Sequence, residues 1–150
     1  RVLIYSTGAV QPFAPMPIPL TLPDLLTQEG FEVTIHTPDL AVRAGDYDLV
    51  LYLLAEETLL TRSRIFLDWK GLTGSVFGAM HRHWHEVPTT MVSLGFPYYL
   101  YDAPRVSTYI NAYGSSDAIQ EAVLDALLGR VPFAGTSPID PFCGSEQAKY

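Results

Sequence analysis

The chain has 150 residues, 48% of them hydrophobic and 17% charged, which is typical of one globular domain with its own core. The formal net charge of −7 argues against a nucleic-acid surface, and the absence of any run of 18 apolar residues predicts no membrane span. Cys143 is the only cysteine, which excludes a disulfide framework and favours a cytoplasmic, reducing compartment. Because Arg1 directly precedes an apolar run, we expect the chain to be part of a longer protein.

Two strands are predicted in the first quarter of the chain, on either side of a proline-rich loop and a helix. The elements in order are a strand over Val2–Tyr5, a loop over Gln11–Pro23, a helix from Leu22 or Pro23 to Gly30, and a strand over Phe31–His36. Five prolines disfavour regular structure in the loop, and glycine is a typical residue at a helix C-terminus. The almost continuous apolar run Tyr47–Leu54 then predicts a central parallel strand.

The second half of the chain continues this alternation. Residues 55–73 carry no clear pattern, and they are followed by a helix over Phe77–His85, strands over Thr89–Leu94 and Thr108–Ala112, and a helix over Asp117–Leu128. Strands that alternate with helices predict an α/β fold. We therefore expect one domain over residues 1–150, a three-layer α/β/α sandwich around a mostly parallel, doubly wound sheet of five or six strands.

Two groups of side chains follow predicted strands, at the edge where open α/β sheets bind ligands. Glu56 and Glu57 come after the third strand, and Pro97, Tyr98 and Tyr99 come after the fourth. Sugar hydrolysis needs two carboxylates, but adjacent glutamates point in different directions and do not form an acid–nucleophile pair. Tyrosine rings can stack on sugars or bury against another domain. We take these five residues as candidates for substrate or interface contact, and predict no catalytic residue.

A histidine cluster suggests a second and weaker site. His81 and His85 are four residues apart, so on the predicted helix they would share a face and could hold a metal with His36 or Glu86. The order His-Glu-x-x-His is absent, and protonated histidines also suit a helix C-terminus. A glycine-rich phosphate loop and a nucleophile elbow are absent as well, so we predict no metal and no cofactor.

The second half of the chain also carries short motifs in a distinctive order. They are Ser93–Tyr98 at the end of a strand, Ala112–Tyr113 before a helix, Leu128–Gly129 at the end of that helix, and Gly135–Ile139 in the tail. This order resembles the C-terminal domain of glycoside hydrolase family 3, and the nearest branch is the bacterial β-N-acetylhexosaminidases. The resemblance covers roughly residues 49–143 and adds Tyr113 to the candidate contact residues.

The resemblance implies a domain that packs beside a (β/α)8 barrel of the same chain. In the hexosaminidase branch the catalytic groups lie on the barrel, so this chain would be non-catalytic and the intact enzyme would hydrolyse terminal β-linked N-acetylhexosamine. In the glucosidase branch an acid/base glutamate comes from this kind of domain, and Glu56 and Glu57 are then the nearest positions. The expected partners are the barrel and a carbohydrate.

Two other functions stay open at this stage. The first is a free-standing, flavodoxin-like domain that binds a small molecule, which the predicted strand order permits. The second is a metal-dependent hydrolase built on His81 and His85.

Overall fold

The computed structural model describes residues 1–9, 16–57 and 66–149. Within these residues five strands form one sheet: β1 (Val2–Ala9), β2 (Val33–Ile35), β3 (Leu49–Ala55), β4 (Thr89–Ser93) and β5 (Thr108–Asn111). The strand order is β2-β1-β3-β4-β5, and every neighbouring pair is parallel. This is the flavodoxin-like order, so the predicted α/β sandwich with a doubly wound parallel sheet is confirmed.

Helices cover both faces of the sheet. The described helices are α1 (Leu22–Gln28), α2 (Trp69–Thr73), α3 (Val76–Met80) and α4 (Asp117–Leu127). Single 3-10 turns lie at Ala44–Asp46, His83–His85, Tyr99–Tyr101 and Glu146–Ala148. None of the helices in the described ranges is long and apolar enough to cross a membrane.

One face of the sheet, the aliphatic face, packs against α1 and α4. The buried members of its core are Val, Ile, Leu and Ala side chains: Val2, Ile4, Leu20, Leu22, Leu26, Leu51, Leu53, Ala55, Val92, Leu94, Val123 and Leu124. The two helices are also joined by Gln120, whose Oε1 accepts from the Leu22 N–H at 3.0 Å. Its Nε2 donates to the Ser115 carbonyl at 2.8 Å, so this buried amide is satisfied at both ends.

The opposite face, the aromatic face, is covered by α2 and the turns at 83–85 and 99–101. Its buried core contains Leu3, Tyr5, Val50, Tyr52, Leu54, Leu67, Val87, Met91, Tyr99 and Ala103. Because strand residues alternate between faces, β1 sends Ile4 to one core and Tyr5 to the other. The same alternation in β3 places Leu53 and Tyr52 on opposite sides.

The strand β1 is longer than expected. The sequence predicts a strand that ends at Tyr5, whereas pairing with β3 continues to Ala9 across an irregularity between Ser6 and Gly8. Ala9 then forms an antiparallel bridge with Ile18. Residues 11–15 of the predicted proline-rich loop lie outside the described residues.

The predicted helix over Phe77–His85 is wrong in its second half. Helix α3 ends at Met80, and His81 takes an extended conformation with φ −82° and ψ 141°. Phe77 and Met80, two large apolar residues of this segment, are 82% and 67% exposed. The chain leaves the helix here because His83 turns into the aromatic face and contacts the hydroxyl of Tyr5.

Candidate functional site

A pocket opens where the strand order reverses, between the carboxyl ends of β1 and β3. Open α/β sheets commonly bind ligands at this point. The pocket has a volume of about 230 Å³. Its walls are formed by Ser6, Thr7, Leu54, Glu56, Phe66, Leu67, Asp68, Gly71, Leu72 and Tyr99. We refer to it as the switch-point pocket.

The hydroxyl groups of β1 hold the edge of this pocket together. The Thr7 hydroxyl accepts from the Ala55 N–H at 3.0 Å and donates to the Gly8 carbonyl at 3.2 Å. The Ser6 hydroxyl accepts from the Gly8 N–H at 3.2 Å. Gly8 has φ +67°, and a Cβ there would lie 2.8 Å from the Cβ of Pro17. These hydroxyls therefore serve the irregular end of β1, which needs a glycine.

The two glutamates after β3 have different positions. Glu56 is half-buried and lines the switch-point pocket, whereas Glu57 is exposed. The Glu56 carbonyl accepts from the Phe96 N–H at 2.9 Å. This approach requires Gly95, because a Cβ there would lie 2.4 Å from the Glu56 carbonyl oxygen. The turns after β3 and β4 are thus locked to each other through one glycine.

The tyrosine cluster after β4 divides between core and rim. Tyr99 is 1% exposed and forms part of the pocket wall. Tyr98 is half-buried, and both rings pack edge-on against Phe96, with centroids 5.4 Å and 5.3 Å away. The Pro97 carbonyl accepts from the amide of Asn111 at 3.2 Å, which ties the turn to β5. Tyr98 is thus more accessible than Tyr99, although it does not line the switch-point pocket.

Tyr113 has a different role from the residues around the pocket. It is 47% exposed and has φ +59°, a conformation that non-glycine residues seldom adopt. Its hydroxyl shares a hydrogen bond of 2.8 Å with the hydroxyl of Ser137. The Ala112–Tyr113 motif and the Gly135–Ile139 motif therefore meet, and this bond fastens the tail to the domain.

The histidine pair does not share a helix face. His81 lies beyond the end of α3 and His85 lies in a 3-10 turn, so their four-residue spacing no longer aligns them. The His81 Nε2 instead lies 3.2 Å from a carboxylate oxygen of Glu86. Among the described residues, no group of three or more His, Cys, Asp and Glu side chains is arranged to hold a metal ion.

The structure reveals a buried histidine that sequence reasoning missed. His83 is 6% exposed, and its Nε2 lies 2.9 Å from the hydroxyl of Tyr5. Tyr5 stacks on His36 and Tyr52 at centroid distances of 4.3 Å and 5.1 Å. Burial lowers the pKa of His83, with His81 adding to the effect, and burial raises the pKa of Tyr5 to about 12.

Asp68 is the second carboxylate of the switch-point pocket. It caps α2, because its Oδ1 accepts from the Gly71 N–H at 2.9 Å. Glu56 and Asp68 both line the pocket, and no lysine or arginine belongs to its described wall. Two acceptors without a cation favour neutral hydroxyl groups over anions. Asp68 was missed because residues 55–73 carry no clear secondary-structure pattern.

The comparisons with known proteins agree with the motif order. A β-N-acetylglucosaminidase/β-glucosidase of Cellulomonas fimi is 39% identical over an alignment that covers 96% of this chain and 27% of that protein. This chain is related to the C-terminal domain of family 3 glycoside hydrolases. The resemblance stated from the sequence is thus confirmed, although no protein-family profile matches the chain.

Two solved structures support this family 3 relationship. The β-glucoside phosphorylase BglX matches 98% of this chain with a TM-score of 0.79 and 28% identity. The structure of BglX bound to 2FGlc matches 95% of it with a TM-score of 0.76 and 29% identity. In every case the chain spans only about a quarter of the relative, 26–27% of its length.

Proposed function

We propose that this family 3 domain is a non-catalytic part of an enzyme that hydrolyses terminal β-linked N-acetylhexosamine. The observation that carries the proposal is the 39% identity with the Cellulomonas fimi β-N-acetylglucosaminidase/β-glucosidase over 96% of this chain. In the proposed arrangement the domain packs on a (β/α)8 barrel that holds the catalytic groups. The carboxyl edge of the sheet then faces the cleft.

The described site supports a binding role in preference to a catalytic one. Glu56 and Asp68 can accept hydrogen bonds from sugar hydroxyls, and the half-buried Tyr98 ring, which follows the same sheet edge, can lie against a sugar face. Glycoside hydrolysis uses two carboxylates, and Glu56 and Asp68 both line the pocket, but Asp68 already caps α2 by accepting from the Gly71 N–H at 2.9 Å, so we assign the pair to binding. The chain would therefore shape the cleft and leave the bond-breaking step to the barrel.

Phosphorolysis is the second candidate reaction, because both solved relatives are named β-glucoside phosphorylase. Such an enzyme transfers the glycosyl group to inorganic phosphate and so needs cationic or N–H donors for that anion. The described wall of the switch-point pocket has no lysine or arginine. Phosphate would then have to bind on another part of the enzyme.

The two reactions are separated by an assay of the intact enzyme. Chromogenic β-N-acetylglucosaminide and β-glucoside substrates would be tested with and without inorganic phosphate, and the sugar product analysed by mass spectrometry. Free N-acetylglucosamine at a rate independent of phosphate supports the proposal. A sugar 1-phosphate product overturns hydrolysis, and preference for the glucoside overturns the hexosaminidase specificity. Turnover by the 150-residue chain alone would overturn its non-catalytic role.

Paired substitutions test whether the pocket contacts substrate. We expect Glu56→Gln in the intact enzyme to raise KM by about tenfold, since a hydrogen bond to a charged group is worth about 1.5–3 kcal/mol. Glu121→Gln, on the exposed face of α4, is the matched control. Glu57→Gln and Tyr98→Phe give the contributions of the exposed glutamate and of the Tyr98 hydroxyl, which follow the same strand ends but do not line the pocket. An unchanged KM in all three variants would assign this edge to domain contact alone.

A further inference from the structure

Helix α3 carries three large apolar side chains that face away from the core. Val76, Phe77 and Met80 are 58%, 82% and 67% exposed. On a helix, residues three and four apart are neighbours, so Met80 adjoins both of the others and the three form one continuous surface. We call this surface the α3 patch. Single exposed apolar residues are ordinary, whereas a contiguous group marks an interaction surface.

The α3 patch is presented by a well-formed support. The Ser75 hydroxyl caps α3 by accepting from the Gly78 N–H at 2.9 Å. The turn between α2 and α3 uses Gly74 at φ +73°, where a Cβ would lie 2.6 Å from the Cβ of Pro38. The Thr73 hydroxyl donates to the Trp69 carbonyl at 2.7 Å. These contacts fix the helix, so the exposure of its side chains is part of the fold.

The surroundings of the α3 patch connect it to the site. Helix α2, which precedes it, contributes Gly71 and Leu72 to the wall of the switch-point pocket. Phe66, another lining residue, is 54% exposed. Between its large side chains α3 has only Gly78 and Ala79, and the helix carries no charge. Small residues allow a partner to approach closely, and a partner of apolar surface fits this composition.

We infer that the α3 patch is the surface on which another part of the same enzyme docks. The inference rests on the proposed function, because it takes the partner to be the catalytic barrel. This chain accounts for only 26–27% of the length of its relatives, so most of such an enzyme lies outside it. A partner seated on α3 would also stand beside the switch-point pocket, which favours the barrel over a second copy of the chain.

Oxidation of methionine in the intact enzyme tests the inference directly. The chain has three methionines, and in the structure Met16 is 75% exposed, Met80 is 67% exposed and Met91 is fully buried. The rate at which peroxide converts each methionine to its sulfoxide would be measured by peptide mass spectrometry in the native enzyme. Each rate would then be divided by the rate of the same methionine in the denatured enzyme. We expect Met80 in the native enzyme to react at about a tenth of its rate in the denatured enzyme or slower, because oxidation follows exposure and the barrel would cover this side chain.

The outcomes separate the possible occupants. If Met80 reacts as fast in the native enzyme as in the denatured enzyme, the patch is open and the inference is overturned. If its protection disappears on dilution together with a change from dimer to monomer mass, a second copy covers α3 and the barrel assignment is wrong. Phe77→Ser should raise the Met80 rate, whereas Phe133→Ser, another exposed aromatic at 62%, should not. Because none of these readouts measures turnover, they stand even if the proposed substrate is wrong.

Discussion

The two faces of the sheet are built from the same strands but from different chemistry. On the aliphatic face every buried hydrophobic side chain of the core is aliphatic, and the covering helices have 7 and 11 residues. On the aromatic face three of the ten buried core residues are tyrosines, and helices α2 and α3 have only 5 residues each. The switch-point pocket and the buried histidine both belong to the aromatic side. Stability and ligand contact are thus divided between the faces.

Polar groups follow the same division. Gln120, buried on the aliphatic side, has both ends of its amide hydrogen-bonded. On the aromatic side the Nδ1 of His83 and the Nε1 of Trp84 are buried without a hydrogen-bond partner in the described structure. An unpaired buried group weakens a fold by about 1–3 kcal/mol. The aromatic face is therefore where changes of pH and of polar side chains should act.

The largest expected effect on stability comes from a substitution on the aliphatic face. Leu53 is fully buried there, so Leu53→Ala removes packed methyl groups and should lower the free energy of unfolding by about 2–5 kcal/mol. Urea unfolding at pH 5.5 and pH 7.5 measures this free energy, and the loss caused by the substitution should be the same at both pH values. A strongly pH-dependent loss would show that the two faces are coupled.

The next effect concerns the turn that joins β3 and β4. Gly95→Ala places a Cβ against the Glu56 carbonyl, so it should cost about 1–3 kcal/mol and displace Glu56 from the pocket. Gly135→Ala is the matched control, because no atom lies within 4 Å of its added Cβ. Thermal unfolding compares the stability of the two variants. If Gly95→Ala were as stable as Gly135→Ala, the two turns would be free to move apart.

Acid should weaken the aromatic face selectively. Burial lowers the pKa of His83 below its ordinary value of 6.5, and burial also lowers that of His36. The unfolded chain then binds more protons, so stability is fully present above pH 6.5 and falls as the pH drops below it, toward the folded pKa values. Each histidine contributes a slope of at most about 1.4 kcal/mol per pH unit.

His83→Gln tests this assignment, because glutamine can accept from Tyr5 without titrating. Urea unfolding between pH 7.5 and pH 5 should show a shallower decline in the variant. Besides Tyr5, the charged and titratable groups around His83 are His36, His81, Arg82 and Glu86. A decline of the same steepness in the variant would place the acid-sensitive group elsewhere.

The smallest effect compares two arginines, one on each side. The Arg82 guanidinium lies 3.8 Å from the centroid of Trp69 and donates to the carbonyls of Ala79 and His81. Arg130 joins Glu29 and Asp125 in exposed ion pairs between α1 and α4. Arg82→Gln should cost about 1–2 kcal/mol and be insensitive to salt, because it loses packing on an aromatic ring.

Arg130→Gln should cost less than about 1 kcal/mol, and the loss should vanish in 1 M salt. Thermal unfolding at low and high ionic strength measures both variants. The contrast between the faces would be contradicted if the loss of stability in Arg82→Gln depended on salt. It would also be contradicted if the loss in Arg130→Gln did not.

The strands and α4 could be predicted because their signals are local. Tyr47–Leu54 is continuously apolar, and Asp117–Leu127 has helical periodicity, so neither needs distant contacts to be recognised. The chain after Met80 could not be predicted, because its path depends on His83 meeting Tyr5, 78 positions earlier. Tertiary contacts override local preference in such segments.

The site was predictable only in part, for the same reason. Glu56 and the tyrosines were found because they follow strands, and the edge of an α/β sheet gathers such residues. The pairing of Glu56 with Asp68 in one pocket depends on how the chain returns to α2. Tyr113 was singled out by its motif, but its bond to Ser137 requires the folded tail.

The interior position of β1 has a consequence for the way the protein is made. Its early neighbour β2 offers only three residue pairs, and a two-stranded arrangement is marginal in water. The extensive pairing is with β3, which ends at Ala55. At a synthesis rate of roughly 5–20 residues per second, the apolar segment Val2–Tyr5 waits several seconds for its main partner. During translation this strand is therefore exposed to wrong pairing until β3 has been made.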